Sequence, residues 1–154
     1  ESSSLQDSES GPSFDFKDQI LQGQIDGFSF EYGEGTVSIL ASPSDGNNLF
    51  FDLYDIKEDF TDICDFIGFG DEVSVFFRVP NEVGLYELDF DLSSFDGQVI
   101  TLFNPEGSVN NIASIGALEI LTISDTLVTG RMDARLDSEN TVNGNFSAVF
   151  CTEN

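Results

Sequence analysis

Apolar and polar residues alternate along most of the chain from Phe14 onward. The cleanest run is YELDFDL at 86–92, where Tyr86, Leu88, Phe90 and Leu92 are separated by acidic residues. A period of two directs one set of side chains into a core and the other into water, which is typical of half-buried antiparallel strands. The pattern therefore predicts a protein made almost entirely of β-strands, with further runs at 28–32, 37–41, 73–79, 128–136 and 146–150.

Turn-forming sequences separate these runs. They are DG at 26–27, SPSDGNN at 42–48, VPNEVG at 79–84, FDG at 95–97, NPEG at 104–107 and DSEN at 137–140. Gly, Asn, Asp and Pro favour tight turns, so each of these segments can link two neighbouring strands. Short strands at short spacing predict an all-β protein, an antiparallel β-sandwich or a partly open β-barrel, of about nine or ten strands.

One segment departs from the alternation. Its apolar residues recur at helical spacing, with acidic residues on the opposite side; they are Ile56, Phe60, Ile63, Cys64 and Ile67. This stripe predicts a short helix near 56–67, ended by Gly68 and capping an open end of the sheet. Cys64 would then face inward, towards the last strand.

The runs at 128–136 and 146–150 are predicted to form a hairpin. Each is associated with a glycine four residues before an alanine, Gly130 before Ala134 and Gly144 before Ala148. A glycine within a strand often marks a bulge or the close approach of another segment. We therefore expect one of these features at both glycines.

Two phenylalanine doublets, Phe50–Phe51 and Phe76–Phe77, place one ring on each face of their strands. One interpretation is that these strands are buried on both faces in the middle of a sandwich. The other is that the second set of rings lines an apolar groove for a lipid or small ligand, as in calyx-type barrels. The sequence leaves both interpretations open.

The composition adds a strong charge asymmetry. The chain of 154 residues contains 29 Asp and Glu against 5 Lys and Arg, which gives a net charge of −24, and it has no His. A surface this negative repels nucleic acid and anionic membranes, so neither is an expected partner. The absence of His excludes mechanisms that need imidazole, and no run approaches the roughly 18 apolar residues of a membrane-spanning helix.

The two cysteines, Cys64 and Cys151, are too few for a Cys-only zinc site, and no His can complete one. They form either one disulfide or two buried thiols. Residues 1–13 are almost wholly polar and predict a flexible tether before a single domain at 14–154. Such a tether commonly follows the removed leader or lipidated cysteine of an exported bacterial protein, and export would favour the disulfide.

Acidic residues suggest candidate binding regions. An acidic patch on the predicted helix is either a site for a divalent cation or a cationic partner, or the solvated face of that helix. No segment matches an EF-hand loop, but turn loops offer looser sites for Ca²⁺, the one candidate cofactor. The patch comprises Asp55, Glu58, Asp59, Asp62 and Asp65, and the calcium candidates are Asp45 with Asn47, and Asp89 and Asp91 with Asp96.

No residue pattern indicates catalysis. With 29 acids, some pair of carboxylates meets any spacing, so the pairs carry no signal for a glycosidase. The chain also has no Trp and only 3 Tyr for stacking against sugars. We therefore expect a domain without enzymatic activity.

The order of strand motifs resembles exported lipoproteins of Bacteroidetes of uncharacterised function. A G-x-Y-x-L strand marks the middle of the domain, and two strands with a V-x-G-x-F-like motif close it. Met132 replaces the usual aromatic residue, and the helix-like insert with Cys64 is not part of the pattern. The resemblance implies an all-β domain tethered at the cell envelope, with a lipid anchor upstream of Glu1 and no catalytic residue. The matching residues are Gly84, Tyr86 and Leu88, then Ile123, Asp125, Val128, Gly130 and Met132, then Val142, Gly144 and Phe146.

These features together predict a non-catalytic exported domain, either periplasmic, anchored at the outer membrane or secreted. It would act as a binding or structural module whose partner is a protein or a small ligand. Two alternatives are a β-barrel that binds a lipid or other small apolar ligand, and a calcium-dependent adhesion module.

Overall fold

The computed structural model describes residues 14–42, 46–56, 63–65, 73–89, 98–107 and 109–151. Within these ranges the chain forms eleven β-strands and one 3-10 turn, and no helix there is long and apolar enough to cross a membrane. The predicted all-β fold is confirmed, with more strands than the nine or ten expected. The elements are β1 (Gln22–Ile25), β2 (Phe28–Glu31), β3 (Glu34–Ser42), β4 (Gly46–Tyr54), the 3-10 turn (Ile63–Asp65), β5 (Ser74–Pro80), β6 (Gly84–Glu87), β7 (Ile100–Asn104), β8 (Val109–Ala113), β9 (Ile115–Ile123), β10 (Leu127–Asp137) and β11 (Asn140–Phe150).

The eleven strands belong to one sheet. Its main path runs β6-β9-β10-β11-β3-β4-β5-β7-β8, while β1 pairs with both β11 and β2. Strand pairs are antiparallel except β11 with β3, which run parallel through two residue pairs, Val149 with Thr36 and Phe150 with Val37. We call this short parallel contact the seam. It joins two antiparallel halves of the sheet.

The sheet curls strongly enough to bring distant strands together. The side-chain amide of Asn104, at the end of β7, donates to the carbonyl of Ile25 in β1 over 3.3 Å. An isolated bridge between Leu88 and Gln98 links the residue after β6 to the segment before β7. The result is a half-barrel, which confirms the predicted fold class.

Three phenylalanine rings fill the centre of the curl. Phe51 and Phe77 stack with 4.7 Å between ring centroids, and Phe146 meets them edge-on at 5.8 and 5.9 Å. All three side chains are buried. Because Phe51 and Phe77 lie on β4 and β5 and Phe146 lies on β11, the cluster packs the two halves of the sheet against each other.

The phenylalanine doublets do present one ring on each face. Phe50 and Phe76 lie on the outer face, with 6.3 Å between ring centroids, and both are only partly buried. The interpretation of complete burial on both faces is therefore wrong for these two rings.

Three residues that the alternation assigns to the core are exposed instead. Leu136 is 37% exposed because a bulge between Arg135 and Asp137 shifts the register of β10 against β11. Phe28 and Ile39 are 53% and 54% exposed. Phe28 pairs with Ile25 and Ile39 pairs with Leu49, and both partners are fully buried. The period of two therefore assigns the face of a side chain, but it does not fix how deeply that side chain is buried.

Of the segment predicted as a helix, the structure describes Ile56, which is not helical, and residues 63–65, which form a 3-10 turn rather than an α-helical one. The rest of that prediction falls at 57–62 and 66–68, outside the described residues. Ile63 is buried, and Cys64 forms a disulfide with Cys151 across a Cα–Cα distance of 5.5 Å. The predicted inward orientation of Cys64 agrees with this bond. A disulfide of this kind indicates an oxidising, non-cytoplasmic compartment.

Candidate functional site

Residues 14–20, which we call the strap, lie across the outer face of β10 and β11. The amide of Asp15 donates to Oδ2 of Asp133 over 2.9 Å, and the amide of Lys17 donates to Oδ1 of Asn143 over 2.9 Å. In return, Nδ2 of Asn143 donates to the carbonyl of Asp15 over 2.8 Å. These hydrogen bonds join residues far apart in sequence and fix the strap against the domain.

Both strand glycines allow a close approach, as predicted. A Cβ on Gly144 would lie 2.6 Å from Cα of Leu21, and Gly144 has φ +138°, which side chains rarely adopt. A Cβ on Gly130 would lie 2.6 Å from the carbonyl oxygen of Glu119, next to a register shift between β10 and β9. Gly144 therefore leaves room for the backbone of Leu21, the residue after the strap, and Gly130 lies at a bulge.

Two different strands pair with the same edge of β11, at different positions along it. Strand β1 pairs with its residues 141–143, and β3 pairs with 149–150. Between them, in the described part of the chain, only the bridge residue Ile20 pairs with β11 on this side. Tyr32, in the connection from β2 to β3, partly fills the opening, and its hydroxyl donates to the carbonyl of Ser147.

A groove of about 450 Å³ occupies this opening on the outer face, and we call it the fork groove. Gly130 pairs with Phe146 across β10 and β11, and a Cβ on Gly130 would lie 2.8 Å from Cζ of that buried ring, so these two residues border the groove from the core side. Ile20 and Leu121, 53% and 41% exposed, lie on its rims. Its lining residues are Ile20, Tyr32, Gly33, Leu121, Thr129, Gly130, Asn145, Phe146 and Ser147.

The lining offers binding chemistry. Apolar surface comes mainly from Ile20 and Leu121, because the Phe146 ring is almost wholly buried. Thr129 and Asn145 add a hydroxyl and an amide, which hydrogen-bond to Thr122 and Asp18. Tyr32 is the one titratable side chain in the described lining. Burial raises its pKa above the ordinary value, the hydrogen bond to Ser147 opposes that rise, and the charge of Glu34 adds to it. At neutral pH the phenol therefore remains a neutral donor, and the groove suits an uncharged apolar group.

Two other clefts are less suited to an apolar ligand. One of about 560 Å³ lies beside β1 and β2, and its walls are largely polar, with Gln22, Gln24 and Glu31 among them. The other, of about 270 Å³, adjoins Phe50 and Phe76 on the outer face. It is smaller, and Arg78 lies in its wall.

Few of the sequence-predicted site residues can be located. Of the acidic patch, Asp55 lies beside β2, where its Oδ2 accepts the amide of Glu31 over 3.1 Å, and Asp65 belongs to the 3-10 turn. Asp89 is exposed just after β6. Among the described residues, no three Asp, Glu or Cys side chains form a group that could hold a metal ion. Asn47 lies in β4, while Glu58, Asp59, Asp62, Asp45, Asp91 and Asp96 lie outside the described residues, so the patch and calcium candidates stay predictions.

The fork groove itself was not predicted from the sequence. The glycine pair at 130 and 144 marked the right strands, since both glycines border the opening. Comparison of the chain with family models, curated proteins and solved structures finds no match.

Proposed function

We propose that the protein is a non-catalytic, exported binding module, tethered through its N-terminal segment at the cell envelope, that takes an apolar group into the fork groove. The observation that carries this proposal is the groove itself. It is an apolar recess with exposed apolar rims and hydrogen-bonding groups at its edge, which are the usual attributes of small-ligand sites.

The disulfide and the strap support export and tethering. A disulfide between Cys64 and Cys151 fits an oxidising compartment. The strap begins where the polar residues 1–13 end, and its hydrogen bonds to β10 and β11 would transmit any pull on the tether to the sheet. These two features support export and tethering, which stay proposals.

The curl of the sheet argues against a calyx-like site. Its centre is filled by the Phe51, Phe77 and Phe146 rings, so a lipid would have to displace the core to enter there. The fork groove offers apolar surface without that cost. The net charge of −24 favours a neutral or cationic ligand over a fatty acid.

The test uses N-phenyl-1-naphthylamine, a neutral apolar dye whose fluorescence rises on leaving water. We expect saturable binding that weakens at least about tenfold in Leu121→Ser and Ile20→Ser, since each removes apolar contact area at the rim. Leu136→Ser and Phe28→Ser are matched controls, because both residues are exposed but lie outside the lining. No saturable binding, or equal loss in rim and control variants, would refute the proposed site.

A further inference from the structure

The fork groove continues into a longer apolar surface. Leu85 pairs with Glu119 on the outer face. Val83 directly precedes Gly84, whose partner Ile120 directly precedes Leu121. The alternation directs Val83 and Leu85 outward, and they are 54% and 48% exposed. We call Val83, Leu85, Leu121 and Ile20 the apolar stripe.

The stripe runs from β6 across β9, β10 and β11 to Ile20, which bridges Asn145 on the far side of β11. Four strand spacings of about 4.8 Å give a length of about 19 Å. An extended peptide rises about 3.3 Å per residue, so about six of its residues would span the stripe. The fork groove lies at one end, where its 450 Å³ could take a large apolar side chain.

Carboxylates border the stripe, and nearby positive charge is already engaged. Glu82 precedes Val83 and Glu87 lies on the same face as Leu85; in the part of the chain that the structure describes, neither makes an ion pair. The cross-strand row that leads from Leu85 to Ile20 contains Glu119, Arg131 and Asn145. The charge of Arg131 is engaged there, with its guanidinium 2.7 Å from Glu119 and 4.5 Å from the centroid of the Phe16 ring. The surface therefore combines exposed apolar side chains with one internal ion pair, and it is negative at its border.

We propose that the apolar stripe and the fork groove dock an extended segment of a basic protein, with one apolar side chain in the groove and Lys or Arg side chains facing Glu82 and Glu87. This inference rests on the proposed function, since it names the partner of the same groove. Charge complementarity favours this occupant. A second copy of the chain is disfavoured, because each copy carries a net charge of −24.

The test measures fluorescence anisotropy with three labelled hexapeptides. One alternates Lys with Leu and Phe, the second replaces every Lys with Glu, and the third keeps Lys but replaces the apolar residues with Ser. We expect saturable binding of the first alone, weakening at least tenfold between about 50 and about 500 mM salt, because screening removes the electrostatic part. Equal binding of the Lys–Ser peptide would overturn the proposal, because it would show that charge alone drives association.

Variants then locate the binding. Leu85→Ser and Leu121→Ser should each weaken the basic apolar peptide about tenfold, whereas Leu136→Ser should not. Glu82→Gln with Glu87→Gln should weaken it several-fold and flatten its salt dependence. The charge control is Glu106→Gln with Glu139→Gln, on turns away from the stripe; Glu139 lies eight residues from Ser147, about 26 Å along β11. Equal effects of the two charge pairs would overturn the proposal, and a thermal melt verifies that each variant is folded.

The dye assay distinguishes failure of this inference from failure of the proposed function. If the dye binds the fork groove but no basic apolar peptide competes with it, the groove is a small-molecule site and the peptide inference is wrong. If neither binds, both proposals are wrong. Sedimentation of the protein at low and high salt tests the remaining occupant, and a dimer abolished by Leu85→Ser would assign the stripe to a second copy.

Discussion

The disulfide should contribute a large part of the stability, because it closes a long loop beside the shortest of the strand pairings in the described residues. Cys64 and Cys151 are separated by 87 positions, and closing a loop of that length in the unfolded chain stabilises the fold by about 4.6 kcal/mol in the chain-entropy model. The seam holds the two halves of the sheet through only two residue pairs. The amide of Cys151 donates to the carbonyl of Val37 over 2.9 Å, which places the disulfide at the end of that seam.

The perturbation is the double variant Cys64→Ser with Cys151→Ser. An unfolding entropy of about 2.1 cal/mol/K per residue converts the lost stabilisation into a fall in Tm of about 14 °C for a chain of this length. Thermal unfolding followed by circular dichroism measures it, and dithiothreitol should lower the Tm of the wild type by a similar amount. The control is dithiothreitol added to the double variant, which should change nothing. A fall of less than about 3 °C would refute the argument from loop closure.

Three further predictions concern single side chains. Phe51→Ala should destabilise the fold by about 3–5 kcal/mol in denaturant unfolding, because it empties the centre of the ring cluster. Phe50→Ala, on the outer face, should cost clearly less. Equal losses of stability would contradict the assignment of the two rings to opposite faces. Gly144→Ala should cost at least about 1–3 kcal/mol, since its Cβ would meet the backbone of Leu21, and an unchanged midpoint would show that the strap is not seated there. Burial raises the pKa of Asp52, so its ionised form opposes folding at neutral pH. Asp52→Asn should therefore raise the Tm at neutral pH, and this gain should shrink as the pH falls through the pKa of Asp52 in the folded state. A difference in Tm that is negative or does not change with pH would contradict this sign.

The alternation of side chains was sufficient to predict the class of fold. It identified inward residues of β5, β10 and β11, because burial of one face is a local property of each strand. The doublet at Phe50–Phe51 was predicted correctly to present a ring on each face for the same reason. Exposure of Leu136 was missed, because the bulge that moves it depends on the length of the opposite strand.

The fork groove could not be predicted in this way. It exists because β1 and β3, which are separate in sequence, pair with two different stretches of β11 and leave an opening between them. Long-range pairing of this kind is not encoded in the period of any one strand. The glycines at 130 and 144 gave the nearest signal, since a missing Cβ shows where another segment can pass. They did not show that Tyr32 and Ile20 would line the opening.

Binding of the partner in the fork groove is tested by the change in backbone amide NMR shifts when the basic apolar peptide is added to the full chain. We expect the largest changes on Leu121, Thr129, Asn145 and Ser147. Largest changes around Phe50 and Phe76, or an even spread over exposed acidic residues, would contradict it.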